Sequence, residues 1–309
     1  MIRLVFFGSP AFAVPFLKAL AADGAFSVLA AVTQPDKPAG RGKELKAPAV
    51  KEAAVQLGIP VLQPPSLKKD PTVAEQLRAL GADVFVVVAY GKLIPPNVLS
   101  VPRLGCVNVH PSLLPRHRGP SPMQAAIAEQ DAETGVSIMT LDEGMDTGPL
   151  LAQTRFPLDA RETYKTLEAK VHQTGVPLLA ETLKRYAAGE IAPVPQAEEG
   201  VTVTRLLERE DGKADWSLPA RTLDARRRAY TPWPGLWTTW NGLRVKLLET
   251  EAVAGTLPPG QVRFTDEAVE IGTSDGLLRV TRLQPEDAKP MSAEAFKNGY
   301  PEADGTTLQ

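Results

Sequence analysis

Cysteine occurs once in the 309 residues, at Cys106, so no intramolecular disulfide framework can form and the composition fits a reducing cytoplasm. Histidine is almost as scarce: His110, His117 and His172 are the whole supply. No His/Cys/Asp cluster has ligand spacing, so no metal is expected. Charge nearly cancels, with 34 Lys and Arg against 36 Asp and Glu, so any nucleic-acid contact must come from a local patch and not from the chain as a whole. No stretch of about 18 uninterrupted apolar residues is present, and no membrane span is expected. The apolar run at the N-terminus is interrupted by Pro10, Pro15 and Lys18, which argues against an export signal. The G-x-G-x-x-G fingerprint is also missing. Ser9 and Pro10 stand where a backbone would have to approach a pyrophosphate, which argues against a dinucleotide site.

What is present is enough length for two domains. Residues 2–7 (IRLVFF) form a short apolar run ended by Gly8, as expected of a buried parallel strand, and Pro10 suits the first turn of a helix. Further strands are predicted near 28–32, 59–62 and 83–88, with helices near 48–57 and 71–80. This alternation predicts a Rossmann-like doubly wound, mostly parallel sheet. Asp159 and Glu162 resemble a capping box that opens a helical region towards Gly189, and Pro177 should kink or split it. Residues 189–204 are rich in Pro, Gly and Glu and are the best linker candidate. Beyond them a helix near 219–229 precedes strands near 236–240, 243–248, 261–264, 268–272 and 277–283, with turn signals at Asn241-Gly242 and Asp275-Gly276. Short strands with close turns predict a small, OB-like C-terminal β-barrel. The expected division is therefore a catalytic domain over 1–188, a linker over 189–204 and a barrel over 205–309.

Two segments carry most of the chemistry: CVNVHPSLLPRHRG, residues 106–119, and LDEGMDTGP, residues 141–149. In an extended strand Asn108 and His110 share one face and Val107 and Val109 the other. Pro111 cannot continue a central strand, so both polar residues fall at the strand's end, where open α/β sheets place their ligands. The second segment offers Asp146 in a loop bracketed by Gly144 and Gly148. An amide, an imidazole and a carboxylate suit acyl transfer to an amine: one holds an oxyanion, one moves protons, one tunes the mover. Asn108 and the imidazolium of His110 are expected to donate to the oxyanion, with Asp146 favouring the charged ring. Cys106 shares their face but is expected to be a buried, inert thiol.

These segments, with FFGSPAFAVPFLKAL at the start, TQPDKPAGRGKELKAPAVK, VVVAYGKLIP, and PWPG and KPMSAEAFKNG near the end, resemble the folate-dependent formyltransferases, in the branch that acts on methionyl-tRNA. The resemblance runs the whole length. It implies formyl transfer from 10-formyltetrahydrofolate to the amino group of methionine on initiator methionyl-tRNA, for translation initiation. Its catalytic trio falls on Asn108, His110 and Asp146. Its folate-contacting segment falls on Ser112, Leu113, Leu114 and Pro115, and its pterin pocket on the end of the VFVVVAY strand and the loop before Asp146. The chain departs from the family at Pro111, where a small residue is usual, and at His117, where an aromatic is usual.

The polar stretch 33–50 carries Lys37, Arg41, Lys43 and Lys46, with glycines flanking Arg41, and is expected to be a mobile loop. In the tRNA-acting relatives this loop contacts the acceptor stem, which implies tRNA contacts for Arg41 and Lys43. Arg226, Arg227 and Arg228, with Arg221, Lys213, Arg244 and Lys246, are expected to form a phosphate-tracking surface on the barrel domain. Of Trp233, Trp237 and Trp240, core packing is the leading expectation and base stacking the alternative. A monomer is expected. Two rivals remain: a formyltransferase or hydrolase with a small acceptor, against which the basic loop argues, and an inactive tRNA-binding protein, against which the intact trio argues.

Overall fold

The computed structural model describes residues 1–39, 44–70 and 72–309. The protein divides into two compact units: Met1–Pro122, Thr134–Phe156 and Glu168–Val203 make the first, and Met123–Glu133, Pro157–Leu167 and Thr204–Gln309 the second.

The chain begins with β1 (Ile2–Gly8), α1 (Val14–Ala22) and β2 (Phe26–Val32), then a small hairpin of β3 (Lys37–Ala39) and β4 (Glu44–Lys46). Next come α2 (Ala49–Gln56), β5 (Val61–Leu62), α3 (Thr72–Ala79), β6 (Val84–Val88), α4 (Pro96–Leu99) and β7 (Cys106–His110). After α5 (Pro122–Ala128) the chain forms β8 (Glu133–Thr140), β9 (Leu150–Pro157) and the long α6 (Tyr164–Ala187). The first unit's sheet has the order β5-β2-β1-β6-β7-β8-β9. Pairing is parallel from β5 through β7 and turns antiparallel between β7 and β8, so the sheet is mostly parallel, as the alternating pattern predicts. Central strands such as VFVVV in β6 are buried along their whole length, because helices crossing between parallel strands cover both faces.

Two expectations for this unit need amending. Polar composition over 33–50 predicted a plain loop, yet its described part contains the β3–β4 hairpin, with Lys37 paired to Lys46. Of the two outcomes expected at Pro177, a split does not occur: α6 runs unbroken over 24 residues. Val171, Leu179 and Leu183 are buried on both sides of Pro177, and this continuous apolar stripe outweighs one lost backbone hydrogen bond. No helix among the described residues is long and apolar enough to cross a membrane.

The second unit holds α7 (Ala220–Tyr230), β10 (Leu236–Trp240), β11 (Leu243–Val253), β12 (Val262–Phe264), β13 (Val269–Gly272), β14 (Leu277–Pro285), β15 (Met291–Ser292) and α8 (Ala293–Gly299). Its strands form an antiparallel half-barrel sheet in the order β10-β11-β14-β13-β12, with β15 added beside β14. Register shifts near Glu249 in the β11–β14 ladder supply the bending that such a sheet needs. Leu223, Trp240, Val245, Leu247, Ile271, Val280 and Phe296 share its core.

Helix α7 shows where its arginines go. Arg228 is buried and donates to Asp224 at 2.9 Å and to the carbonyl of Glu162 at 2.6 Å. Arg227 reaches the same Asp224 and donates to Thr250 Oγ1 at 3.2 Å. Asp224 sits three and four residues before them, so all three lie on one helix face. Arg226 is half-buried, while Arg221, Lys213 and Lys246 are exposed. Trp237 and Trp240 are core residues, whereas Trp233 is 57% exposed.

Candidate active site

Strand β7 lies between β6 and β8, with Asn108 opposite Val87 and Met139 and His110 opposite Ser137. Alternation therefore sends Asn108 and His110 to one face. Both are largely buried, at 8% and 4% exposure. The strand stops at Pro111, which is spanned by a tight turn: the Ser112 N–H donates to the His110 carbonyl at 2.9 Å. Among the described residues the Asn108 amide has no hydrogen-bond partner, so its donors are available to a ligand.

The predicted folate segment follows, and hydrogen bonds fix its course. Ser112 is fully buried and its hydroxyl donates to the Arg116 carbonyl at 2.7 Å. Ser137 Oγ donates to the Ser112 carbonyl at 2.6 Å and accepts from the Leu114 N–H at 3.1 Å. Gln153 donates to the Leu114 carbonyl at 2.9 Å. Leu114 is buried; Leu113 and Pro115 are half-buried. Gly135 leaves room for Leu113, since a Cβ there would lie 2.5 Å from the leucine Cδ2. Ser112 and Leu114 thus fix the course of the segment, and Leu113 and Pro115 keep part of their surface exposed.

Asp146 occupies the loop between β8 and β9. Asp142 organises that loop by accepting from the Gly144 N–H at 3.0 Å and from Thr147 Oγ1 at 2.7 Å. At Gly148 a Cβ would stand 1.8 Å from the Thr140 carbonyl oxygen, so only glycine fits. Asp146 itself has φ 55°, a left-handed conformation that costs a non-glycine residue about 1–3 kcal/mol and persists only where neighbours hold it. Its Oδ2 accepts from the Gly119 N–H at 2.7 Å and lies 3.6 Å from His110 Nδ1.

The His110 ring has one settled hydrogen bond. Its Nε2 is 2.8 Å from the His117 carbonyl oxygen, which only accepts, so Nε2 carries the proton. In the neutral ring Nδ1 is then a free lone pair facing the Asp146 carboxylate. Burial is the largest influence on His110 and pushes its pKa down; the Asp146 carboxylate and the His117 carbonyl pull the other way without overturning it. Asp146 acts on the ring in the direction the sequence suggests, and burial acts against it. A proton arriving at Nδ1 would be stabilised by Asp146.

The other expectations sort themselves around this centre. Cys106 is buried and its thiol is pushed up to about 12 by burial, so it is inert. His172 is a structural residue: its Nε2 donates to the Phe12 carbonyl at 2.9 Å. The end of β6 joins a polar junction in which Tyr90's carbonyl accepts from Gln34 Nε2 at 2.8 Å, and Gln34 Oε1 accepts from Lys37 at 2.8 Å. Arg41 and Lys43 lie outside the described residues.

Composition alone passes over Gln196 and Thr202, which lie in the stretch expected to be a linker. Residues up to Val203 belong to the first unit. Val194 and Leu150 exchange two backbone hydrogen bonds, at 2.7 and 2.8 Å. Gln196 Nε2 donates to the carbonyls of Asp146 and Gly148 at 2.8 Å each, and Thr202 Oγ1 accepts from the His117 N–H at 2.8 Å.

Residues 2–183 match the formyl transferase family and residues 206–301 the formyl transferase C-terminal domain. A methionyl-tRNA formyltransferase of Roseiflexus sp. (strain RS-1) is 44% identical over 310 residues, covering 99% of this chain and 95% of its own. Among solved structures, an N-formyltransferase from Helicobacter canadensis in complex with folinic acid and dTDP-3-aminofucose is similar in fold, with TM-score 0.67 and 17% identity over 94% of this chain and 100% of its own. HypX from Aquifex aeolicus in complex with tetrahydrofolic acid is similar over 98% of this chain, with TM-score 0.64 and 19% identity; the chain spans only 48% of that protein's length. From the length and identity of these matches, the chain belongs to the methionyl-tRNA formyltransferase family.

Proposed function

We propose that the protein transfers the formyl group of 10-formyltetrahydrofolate to the amino group of methionine on initiator methionyl-tRNA, for translation initiation. The observation that carries the mechanism is an unengaged Asn108 amide on the same strand face as a His110 ring whose Nε2 is held by the His117 carbonyl and whose Nδ1 faces the Asp146 carboxylate. As the amine attacks the formyl carbon, Asn108 donates to the oxygen on which negative charge develops. His110 Nδ1 takes the proton released by the attacking nitrogen, and Asp146 stabilises the ring once charged. The bond from the formyl carbon to the folate nitrogen then breaks, the electron pair leaves with that nitrogen, and the proton held by His110 passes to it, which restores the ring. Leu113, Pro115 and the backbone held by Ser112 and Leu114 flank the folate, with the end of β6 on its pterin side. The protein is assigned to the cytoplasm on the strength of its single buried thiol and its role in translation, and is taken to act as a monomer.

Arg41 and Lys43 grip the acceptor end of the tRNA. On the second unit Arg226 contacts phosphate, while Arg227 holds the helix behind it through Asp224 and Thr250. Arg41→Leu is expected to raise KM for methionyl-tRNA with folate affinity unchanged; equal KM values for the variant and the parent would remove the loop from the tRNA site. The acceptor class is tested by offering methionyl-tRNA and a nucleotide-linked amino sugar in one reaction and weighing the products by mass spectrometry. Formylated sugar without formylated tRNA would favour the small-acceptor reading.

A further inference from the structure

Neither His110 nor Asp146 fixes its own distance from the other. His110 is anchored on the His117 carbonyl, and Asp146 on the Gly119 N–H. Both anchors belong to one stretch, residues 117–119, so that stretch sets the 3.6 Å separation between Nδ1 and Oδ2. It is held in turn from the segment after α6. The His117 N–H donates to Thr202 Oγ1 at 2.8 Å, and the Arg118 N–H to the Thr202 carbonyl at 2.9 Å. The Arg118 guanidinium donates to Gln196 Oε1 at 3.1 Å from Nε and 2.8 Å from Nη2. Gln196 Nε2 closes the circuit by donating to the carbonyls on either side of Thr147, those of Asp146 and Gly148.

We propose that Gln196 and Thr202 are positioning residues that set the spacing of His110 and Asp146, making the segment 194–203 a wall of the active site. The inference rests on the reading of His110 and Asp146 as the catalytic pair. An amide suits position 196 because it offers two donors to the carbonyls and an acceptor to Arg118; a carboxylate would face both carbonyls with no proton to give. At 3.6 Å the carboxylate acts on His110 through its field and not through a direct hydrogen bond, and a field term changes with every shift in distance. The ionisable groups that act on His110 are Asp146, from the β8–β9 loop, and His117, from its own loop.

The test uses the full-length protein and the variants Gln196→Met, Thr202→Val and Thr202→Ser, with turnover measured against pH and folate binding by calorimetry. Gln196→Met and Thr202→Val are expected to lower kcat by about tenfold to a hundredfold, as small misplacements of catalytic groups do. Both should move the acid limb of the kcat profile, while KM for each substrate and the folate Kd stay within about twofold. Thr202→Ser keeps the hydroxyl and should behave as the parent. Unchanged kcat and an unmoved acid limb in both Gln196→Met and Thr202→Val would overturn the proposal. So would a loss shared equally by kcat, folate affinity and thermal stability that Thr202→Ser also suffers, because that is general disorder. Failure of the underlying reading is distinct: there His110→Ala itself would turn over at the parental rate.

Discussion

His110→Ala and Asn108→Ala are each expected to lower turnover by about 10²-fold to 10³-fold, the usual cost of losing one preorganised donor or proton carrier. Folate should still bind, because the 112–115 segment owes its shape to Ser137 and Gln153 and not to these side chains. The double variant should fall short of the product of the single losses if the two groups act as a unit. In the parent, turnover should be lost as the pH falls through the lowered pKa of His110, because protonated Nδ1 has no lone pair to offer the amine. The same shift appears in stability. An unfolded histidine titrates near about 6.5, and the folded ring binds its proton less readily, so unfolding is favoured as the pH drops below that value. His110→Ala should remove both the acid limb of the rate profile and this part of the acid sensitivity. Steady-state rates across the pH range check the first, and urea titrations at several pH values the second. Parental turnover in both single variants would end the catalytic assignment.

Asp224→Ala is expected to destabilise the second unit by about 3–5 kcal/mol, the loss seen when one member of a buried charge network is removed. Asp224 is the shared acceptor for Arg227 and Arg228, and the side chains of all three are no more than 17% exposed. Removing the carboxylate leaves two guanidinium groups away from water, hydrogen-bonded among the described residues to Thr250 and the Glu162 carbonyl alone. All four tryptophans, Trp216, Trp233, Trp237 and Trp240, lie in this unit, so tryptophan fluorescence during urea titration reports its unfolding. Replacing Arg228 with methionine in the same chain should restore much of the stability, since the stranded charge is then gone. A loss under about 1 kcal/mol for Asp224→Ala would mean that the network is too hydrated to matter.

The alternation of strands and helices, the end of β7 at Pro111 and the shared face of Asn108 and His110 were all legible, because each follows from local rules of period and backbone. Asp146 was legible as a loop carboxylate between glycines, and its approach to His110 followed from the resemblance. The partners that hold it were not. Gln196 is 50 residues from Asp146, and Thr202 is 85 from His117. Composition over 189–204 says only that no helix or strand forms there; it says nothing about what the extended backbone touches. The inward turn of Arg227 and Arg228 did have a local signal, the Asp224 spacing, which a plain count of positive charges overlooks. The downward push of burial on His110 was hidden for a different reason. Sequence names the neighbouring carboxylate, while the degree of burial that outweighs it is a property of the packed sheet.

The most direct test of the central claim is transfer of a labelled formyl group. The protein is incubated with labelled 10-formyltetrahydrofolate and with initiator tRNA that is either charged with methionine or uncharged, and label is counted on the recovered RNA. Label on charged tRNA alone, released as formylmethionine on mild base hydrolysis, is the expected result. No label on charged tRNA, or label carried equally by uncharged tRNA, would contradict the account.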